Sequence, residues 1–431
     1  MRIQFLIHQF YPTSQYGAET YAYHLGKGLQ AQGHQVSVFY RENHLPRSFD
    51  PNQALVEEEL AVDGLPVHRV FLNPRSGVSR GAFFHFLTTF YNPAIETAFA
   101  RHLDRFQPDV IHVHHLLYLS AGLLSAARKR GIPIVATLHD FWYFCPNAQL
   151  LRPGGEICRK NPTLHCGACM KALYGGRIPK AILPLGAPFF LWRRRHLSRA
   201  LSQAQVLISP SQFLLETYVR EGYPADRMVL MEYGLPGQGL AEIVRAREPA
   251  HPLRAGYIGS LTRHKGVHVL VEAFRRIPPA HATLDVYGSP DAFPAYSAGL
   301  QQLAAGQPHI RLRGAFEHSR LREVLQDLDL LVVPSLWYEN SPVVIQEAFG
   351  ARVPVVASRL GSLPEKVQEG VQGLLFEPGD AESLYQVLSG VLSDPRRIAA
   401  FQENLRDYRN DFADHLKSIT GLYDGLLCRP G

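Results

Sequence analysis

Short apolar runs alternate along the chain with longer segments whose apolar residues recur at helical spacing. Such runs, bounded by turn residues, are typical of strands covered on both faces. The alternation of strands with helices predicts parallel, doubly wound sheets of the α/β class. The predicted strands cover Ile3–Ile7, Gln35–Tyr40, Val110–His114, Ile132–Leu138, Val206–Ser209, Arg254–Ile258, Thr283–Tyr287, Arg311–Arg313, Leu328–Val333, Val353–Ala357 and Leu374–Phe376.

The periodic pattern breaks between Tyr233 and Pro252, where turn and charged residues replace it. A chain of 431 residues is also two to three times the usual domain length of about 100–200 residues. We therefore predict one Rossmann-like domain over 1–235 and a second over 236–394. Ligands bind at the carboxyl ends of the strands in such domains, so two facing domains place the site in the cleft between them. The segment 395–431 has helical spacing and is a candidate for packing back across that cleft.

The composition excludes a disordered chain and a membrane-spanning one. Hydrophobic residues make up 46% and charged residues 19%, a balance typical of globular proteins. The apolar run from Ala181 to Trp192 contains two prolines and is shorter than the roughly 20 residues that span a bilayer. The first ten residues contain Gln4 and His8 and lack a small-residue cleavage site, so they predict a strand and not a signal peptide. We expect a cytoplasmic protein.

The stretch 334–350 contains the most informative pattern in the sequence. An apolar strand runs into it, Ser341 and Pro342 predict the N-cap and first position of a helix, and a glycine predicts the helix end. The free N–H groups at such a helix start form a ready site for a phosphate or a sugar oxygen. Glu339 precedes the helix and Glu347 lies on it, so both carboxylates are expected to face one cleft.

Motifs in a fixed order along nearly the whole chain resemble those of one enzyme family. They are Gly17-Ala-Glu19 before a helix ending at Gly33-His34, Asp109-Val-Ile-His-Val-His114, Thr137-Leu-His-Asp140, Gly259-Ser-Leu-Thr-Arg-His-Lys-Gly266, Glu339-x7-Glu347, and Pro354-Val-Val-Ala-Ser-Arg-Leu-Gly-Ser-Leu-Pro-Glu365 with Gly370 and Gly373. Together they closely resemble the family 4 retaining glycosyltransferases, which have the GT-B fold, and among them the bacterial cell-surface polysaccharide and lipopolysaccharide enzymes. The resemblance implies two Rossmann-like domains and transfer of a sugar from a UDP- or GDP-sugar to a glycan or lipid-linked glycan.

The resemblance assigns the donor diphosphate to two glycine-containing loops. Arg263 and Lys265 follow a predicted strand in the second half, where they are expected to neutralise the leaving diphosphate without a metal cofactor. Ser260 belongs to the same loop and stands where the family usually has arginine. Gly17 is expected to let the backbone of the other domain approach the diphosphate.

The resemblance also assigns the sugar and ribose contacts. Glu347 is expected to accept hydrogen bonds from the ribose hydroxyls, while Glu339 and the amides after it, at Ser341 and Val343, hold the donor sugar. His139 resembles the cleft histidine that contacts the acceptor or the donor sugar. His139 and Glu339 are therefore the expected catalytic residues.

Three departures from the family pattern keep other functions open. They are Ser260, Pro342 in a segment that is usually glycine-rich, and Tyr233-Gly234 in place of Asn-Gly. Because no carboxylate is lost, a transferase is the preferred interpretation. A sugar-nucleotide epimerase of the same fold and a catalytically silent sugar-binding or partner subunit are the alternatives.

Two further groups of residues have structural explanations. Ser362-x-x-Glu365 is a capping-box pattern at a helix start, which accounts for Glu365 without a catalytic role. His112 and His114 alternate along a buried strand and point to one face. We interpret this pair as hydrogen-bonded packing and not as a metal site.

Four of the five cysteines, Cys145, Cys158, Cys166 and Cys169, lie close together in the sequence. Four thiolates with one C-x-x-C pair suit a tetrahedral Zn²⁺ ion, and cytoplasmic cysteine clusters bind metals more often than they form disulfides. A structural zinc site is our first interpretation. Unligated thiols, an iron–sulfur cluster and disulfides are the alternatives.

The stretch 157–215 carries nine basic residues and no acidic one. Within it, Phe189-Phe-Leu-Trp192 meets Arg193, Arg194 and Arg195, a combination suited to the headgroups of an anionic membrane. A helix buried in the first domain, with its arginines solvated or paired, explains the pattern equally well. Nucleic acid is not expected as a partner, because no recognised binding module accompanies the basic residues.

Overall fold

The computed structural model describes residues 1–14, 16–42, 50, 53–73, 86–159, 163–174, 186–237, 239–243 and 252–428. The chain forms two compact units. The first unit comprises Met1–Leu235 together with Phe412–Gly431, and the second comprises Pro236–Asp411. The last helix of the chain therefore belongs with the first unit, while residues 395–411 belong with the second.

The first unit contains an eight-stranded sheet with the order β3-β4-β2-β1-β5-β6-β7-β8. Its strands are β1 (Arg2–Ile7), β2 (Gln35–Arg41), β3 (Leu55–Val62), β4 (Leu65–Leu72), β5 (Val110–Val113), β6 (Ile134–Thr137), β7 (Val206–Ser209) and β8 (Met228–Leu230). The β3–β4 pairing is antiparallel and the other pairings are parallel. Among the described residues its helices before the last one are α1 (Gly17–Ala31), α2 (Pro93–Phe106), α3 (Gly122–Arg128), α4 (Thr163–Tyr174), α5 (Ala187–Leu201) and α6 (Gln212–Arg220).

The second unit contains a six-stranded parallel sheet with the order β11-β10-β9-β12-β13-β14. Its strands are β9 (Leu253–Ile258), β10 (Ala282–Tyr287), β11 (Ile310–Gly314), β12 (Leu330–Val333), β13 (Val355–Ser358) and β14 (Gly373–Phe376). Its helices are α7 (Val267–Phe274), α8 (Pro294–Ala304), α9 (Leu321–Gln326), α10 (Val343–Gly350), α11 (Leu363–Lys366), α12 (Ala381–Ser393) and α13 (Arg396–Asn404).

Both sheets have the strand order of doubly wound nucleotide-binding folds, with one switch point between β1 and β5 and another between β9 and β12. Every residue of β12 and β13 is buried. Helices cover both faces of a parallel sheet, which is why these strands consist of Val, Leu and Ala up to the final Ser358 of β13. The predicted doubly wound α/β class is confirmed.

Each strand predicted from the sequence is present, with its ends shifted by two residues or fewer. The sequence-based prediction missed β3, β4 and β8. β3 contains three consecutive glutamates and β4 contains Pro66, so neither shows a continuous apolar run. Asp63 and Gly64 between them have φ values of 48° and 81°, as the tight turn of a hairpin requires. The Asp-Gly pair was therefore a usable signal for this hairpin.

The last helix, α14 (Phe412–Leu427), is anchored in the first unit. The Tyr423 hydroxyl lies 2.6 Å from Nδ1 of His112, and Nε2 of His415 lies 2.9 Å from the hydroxyl of Tyr21. His112 also contacts the Thr137 hydroxyl at 2.7 Å through Nε2. The interpretation of His112 as a hydrogen-bonded packing residue is confirmed.

Candidate functional site

The loops that follow β9 and β12 form the candidate site of the second unit. They leave the sheet at its switch point, where α/β folds bind ligands. The amide of Leu336 donates to the carbonyl of His264 over 2.7 Å, which joins the loops. At Gly266 φ is +72°, and a Cβ there would lie 1.8 Å from the carbonyl oxygen of Pro334. Glycine is therefore required for the two loops to approach this closely.

Lys265 and Glu339 form an ion pair across these loops. The ammonium of Lys265 lies 2.7 Å from Oε1 of Glu339, and the same oxygen accepts hydrogen bonds from the Ser335 hydroxyl at 2.6 Å and the Trp337 indole at 2.8 Å. Burial raises the pKa of the Glu339 carboxyl, but the charge of Lys265 and the three donated hydrogen bonds outweigh burial and hold the pKa below its ordinary value. Glu339 is therefore ionised and fixes the position of Lys265.

The sequence analysis assigned no role to Ser335 and Trp337, although both lie in the motif that contains Glu339. Both lie within four residues of Glu339, and both donate hydrogen bonds to its Oε1 atom in addition to Lys265. The ammonium of Lys265 also lies 5.1 Å from the centre of the Trp337 ring, a favourable cation–π distance. The two residues therefore hold the ion pair in one geometry.

Glu347 lies on α10 with its side chain 14% exposed. Burial raises the pKa of its carboxyl to about 7. Nε2 of His318 is 3.6 Å from its Oε1 atom, beyond normal hydrogen-bond distance. A buried carboxylate with so little hydrogen bonding gains stability when hydroxyl groups donate to it.

The helix start differs by one residue from the prediction. Pro342, and not Ser341, occupies the N-cap position, with extended backbone at φ −69° and ψ 111°, and Val343 is the first helical residue. The Ser341 hydroxyl is buried and has no hydrogen-bond partner among the described residues, so Ser341 does not cap the helix. The amide of Ile345 donates to the carbonyl of Pro342 at 3.0 Å, which leaves the amides of Val343 and Val344 available to a ligand.

The remaining residues of the predicted phosphate loop lie between β9 and α7. Arg263 is exposed in a single 3-10 turn, Arg263–Lys265, and forms no ion pair with any residue that the structure describes. The carbonyl of Ser260 accepts a hydrogen bond from the Tyr257 hydroxyl at 2.8 Å. The loop therefore combines an unpaired cation at Arg263 with a positioned one at Lys265.

The predicted residues of the first unit lie near its switch point. Gly17 is the first residue of α1, which follows β1. His139 follows β6, and its Nδ1 atom lies 2.6 Å from the Tyr233 hydroxyl while its Nε2 atom lies 3.4 Å from Nδ1 of His114. Burial lowers the pKa of His139 to about 3, so its imidazole is neutral near pH 7. His139 is thus suited to hydrogen bonding and not to carrying charge.

Sequence reasoning gave no role to four other polar residues at this end of the first sheet. Nε2 of His115 lies 3.0 Å from the Asp140 carboxylate. Nε2 of His8 lies 3.4 Å from the carboxylate of Glu19, which is 2% exposed and has its pKa raised by burial. The signal that could have identified them is their position, since each follows a strand end or begins α1.

The four clustered cysteines lie in one neighbourhood but not at ligand spacing. Cys166 and Cys169 are one turn apart on α4, and the amide of Cys158 donates to the carbonyl of Leu150. Burial, followed by the nearby thiols, raises the pKa of Cys166 to about 12, and burial raises that of Cys145 to about 11. Among the described residues, no three cysteine sulfurs lie within 4.8 Å of one another. Four thiols are ligands of the type that zinc accepts.

The three consecutive arginines do not form one basic surface. Arg193 is 1% exposed, donates to the carbonyl of Trp142 at 2.9 Å and lies 5.3 Å from its ring centre. Arg194 is paired with the Glu221 carboxylate at 2.8 Å. Arg195 alone of the three is exposed. The expectation of a three-arginine membrane contact is therefore wrong for Arg193 and Arg194, because both are used to pack α5.

The predicted capping box at Glu365 is also wrong. The Ser362 hydroxyl makes no capping bond and donates instead to the carbonyl of Glu339 at 2.8 Å. Ser362 therefore supports the backbone of Glu339.

Models of known families match most of the chain. The model described as "Glycosyltransferase Family 4" matches residues 16–235, and the model described as "Glycosyl transferases group 1" matches residues 252–394. A curated relative, an uncharacterised 42.6 kDa protein in the cps region of Klebsiella pneumoniae, is 22% identical over 360 residues. That alignment covers 83% of this chain and 84% of the relative.

Solved structures share the fold. Sucrose-phosphate synthase from Thermosynechococcus elongatus superposes with a TM-score of 0.68 at 21% identity, covering 99% of this chain and 98% of that one. HepE from Anabaena, crystallised with UDP, superposes with a TM-score of 0.66 at 16% identity, covering 99% of this chain and all of that one. The predicted GT-B fold class is confirmed.

Proposed function

The chain belongs to glycosyltransferase family 4, and from that premise we propose that it is a retaining glycosyltransferase that moves a sugar from a nucleotide-diphosphate donor to a glycan or lipid-linked glycan. The observation that carries the proposal is the buried Lys265–Glu339 pair at the switch point of the second sheet. A fixed cation beside the start of α10 is a suitable arrangement for a diphosphate.

The donor is a UDP- or GDP-sugar. Lys265, held by Glu339, and the exposed Arg263 place two cationic groups at the loop where the diphosphate binds, and the charge of Arg263 is not paired within the described residues. The crystal structure of HepE with UDP supports a nucleotide of this kind for the shared fold. Ser341 and the amide of Val343 hold the donor sugar together with Glu339.

Glu347 binds the ribose of the donor. The two ribose hydroxyls donate to its carboxylate and replace the hydrogen bonds that burial has removed. This contact explains why a carboxyl group is retained on a helix at a site where burial disfavours its charge.

In the transfer step, an acceptor oxygen forms a bond to the anomeric carbon while the bond from that carbon to the donor phosphate oxygen breaks. Retention requires attack on the face from which the leaving group departs, so the departing phosphate oxygen takes the proton of the acceptor hydroxyl. Arg263 and Lys265 stabilise the negative charge that develops on this phosphate. No separate base and no metal ion take part.

His139 and Gly17 complete the proposal in the first unit. The neutral imidazole of His139, which Tyr233 contacts at Nδ1 and His114 at Nε2, contacts the acceptor or the donor sugar. Gly17 lets the start of α1 approach the diphosphate. The cysteine cluster holds a structural zinc ion outside this chemistry.

We assign the membrane contact to the exposed face of α5. Leu191 and Trp192 are 40% and 45% exposed, and Arg195 and Arg199 follow on the same face at helical spacing. Apolar and basic side chains side by side suit a peripheral contact with anionic lipid on the cytoplasmic side of the membrane. None of the described helices has the length and apolar character needed to cross a bilayer.

A panel of nucleotide sugars tests the proposal. The purified chain is incubated with each donor, and the release of nucleoside diphosphate is measured with and without candidate acceptors. Release from at least one donor, stimulated by a glycan acceptor, supports a transferase. Conversion of the sugar without release of the nucleotide identifies an epimerase, and binding without turnover identifies a silent subunit; either result contradicts the proposal.

A further inference from the structure

Two buried histidines and a glutamate meet on one side of the β3–β4 hairpin in the first unit. Glu59 on β3 is paired in register with His68 on β4, and His102 lies on the neighbouring helix α2. One ligand atom from each lies within 4.8 Å of the others, and no second group of three His, Cys, Asp or Glu residues meets this limit in the part of the chain that the structure describes. His68 is 2% exposed and His102 is 7% exposed.

The hydrogen bonds of His102 fix its tautomer. The amide nitrogen of Gln4 donates to the carbonyls of Phe5 and Ser37 at 3.0 and 3.1 Å, so its oxygen faces His102. That oxygen lies 2.6 Å from Nε2 of His102 and requires a hydrogen on Nε2. In the imidazole tautomer with its hydrogen on Nε2, the lone pair lies on Nδ1, which has no hydrogen bond among the described residues.

The carboxylate of Glu57 contacts Nε2 of His68, as the amide oxygen of Gln4 contacts Nε2 of His102. The Nε2 atom of His68 lies 2.9 Å from Glu57, and its Nδ1 atom lies 3.2 Å from Oε1 of Glu59. When Nε2 donates to Glu57, the Nδ1 lone pair faces the Glu59 carboxylate. Two acceptors at that distance repel unless a cation, either a proton or a metal ion, lies between them. Histidines that bind metals commonly donate their second nitrogen to such an acceptor.

From this arrangement we propose that Glu59, His68 and His102 form a binding site for a divalent metal ion of the Zn²⁺ type. Two imidazole nitrogens and one carboxylate oxygen are ligands that zinc accepts, and three protein ligands leave a position for water. The site joins β3, β4 and α2, so the ion stabilises the edge hairpin against the helix.

The surroundings allow an ion to enter. A cavity of about 570 Å³ adjoins the cluster and is lined by Glu57, Glu59, His68, Arg101, Asp104 and Arg105. Arg105 pairs with Glu59 at 2.9 Å, but both side chains are about 60% exposed. Such a surface ion pair is weak and is displaced readily by a divalent ion.

Titration of the full chain with Co²⁺ tests the site and separates it from the cysteine cluster. Thiolate ligands give cobalt a strong charge-transfer band in the near ultraviolet, whereas nitrogen and oxygen ligands give visible d–d bands alone. We expect one equivalent of Co²⁺ bound without the thiolate band. Glu59→Gln and His102→Gln should each weaken its binding at least tenfold. Glu58→Gln is the matched control, because Glu58 lies on the opposite face of β3 and pairs with Arg69.

Zinc itself supplies the second readout. We expect Zn²⁺ to raise the melting temperature of the wild type and of Glu58→Gln, with a smaller increase in Glu59→Gln, whose exposed side chain can change without loss of the fold. A cobalt spectrum with the thiolate band alone overturns the proposal. Equal Zn²⁺ stabilisation of Glu58→Gln and Glu59→Gln overturns it as well.

Discussion

At the scale of single residues, Lys265 and Glu339 act as one unit. Oε1 of Glu339 accepts from Lys265, Ser335 and Trp337, and its side chain is only 7% exposed. A carboxylate this deeply buried keeps its charge because a cation and two further donors surround it. The same pair places the ammonium of Lys265 at the loop where we propose that the diphosphate binds.

Lys265→Met should lower the free energy of unfolding by about 2–4 kcal/mol, because it leaves the Glu339 carboxylate buried without its cation. Adding Glu339→Gln should recover part of this loss, since a neutral amide needs no counter-ion and still accepts from Ser335 and Trp337. Denaturant unfolding of the single and double variants measures both effects. A Lys265→Met variant as stable as the wild type would contradict the assignment of a buried ion pair.

The raised pKa of the Glu347 carboxyl makes the free energy of unfolding depend on pH. Burial raises the pKa of its carboxyl from 4.5 to about 7 in the folded chain. Between these values the unfolded chain has released a proton that the folded chain retains, so stability falls as the pH rises through this window. Glu347→Gln should therefore stabilise the free protein by roughly 1–3 kcal/mol at pH 8 and have no such effect at pH 4.

Unfolding experiments at pH 4 and pH 8 test this sign. Glu272→Gln is the matched control, because Glu272 is an exposed glutamate on α7 of the same unit. An equal effect of Glu347→Gln at the two pH values would show that burial does not control this carboxyl.

At the scale of elements, the cysteine segment is expected to depend on a metal. Elemental analysis of the Glu59→Gln variant, in which the proposed site of Glu59, His68 and His102 is weakened, should find about one zinc per chain after purification without added metal. Removal of that zinc should increase hydrogen exchange in α4. Without zinc, burial keeps the pKa of Cys145 and Cys166 at about 11 and about 12, so these thiols react slowly near pH 7. Absence of metal, with all four thiols titrating after denaturation, would rule the site out.

Helix α5 is expected to bind anionic membranes through Arg195 and Arg199, and not through Arg193. Arg195→Gln combined with Arg199→Gln should reduce binding to anionic liposomes and leave donor hydrolysis unchanged. The attraction should weaken between 0.1 M and 1 M salt, as the Debye length shrinks from about 10 Å to about 3 Å. Arg396→Gln with Arg406→Gln removes two exposed charges from the second unit and serves as the control. If binding of the wild type to anionic liposomes did not change with salt concentration, the proposal would be contradicted.

The same elements show what can be predicted from a sequence. β12 and β13 were predictable because burial on both faces requires a continuous apolar run. β3 was missed because three consecutive glutamates interrupt its apolar pattern, although Asp63-Gly64 indicates the turn. The burial of Arg193 was not predictable, because the rings around it, Phe86, Phe90 and Trp142, come from distant parts of the chain.

At the scale of the whole molecule, the two units share one arrangement of strands and polar residues. In each sheet the strand order reverses once, and polar residues gather where the strands end at that point. The two units differ in chemistry: the second has the Lys265–Glu339 pair, while the first has the neutral imidazole of His139 and the contact between His115 and Asp140. The motif order predicted both positions, but the partners of each side chain depend on strand order and required the structure.

Calorimetric titration with a nucleotide sugar that the chain hydrolyses tests the central claim most directly, with Glu347→Ala compared with Glu272→Ala. Loss of the ribose contact should weaken donor binding at least tenfold in Glu347→Ala, about 1.4 kcal/mol or more, whereas Glu272→Ala should bind as the wild type does. A correctly folded Glu347→Ala variant that binds the donor with wild-type affinity would contradict the placement of the donor site in the second unit.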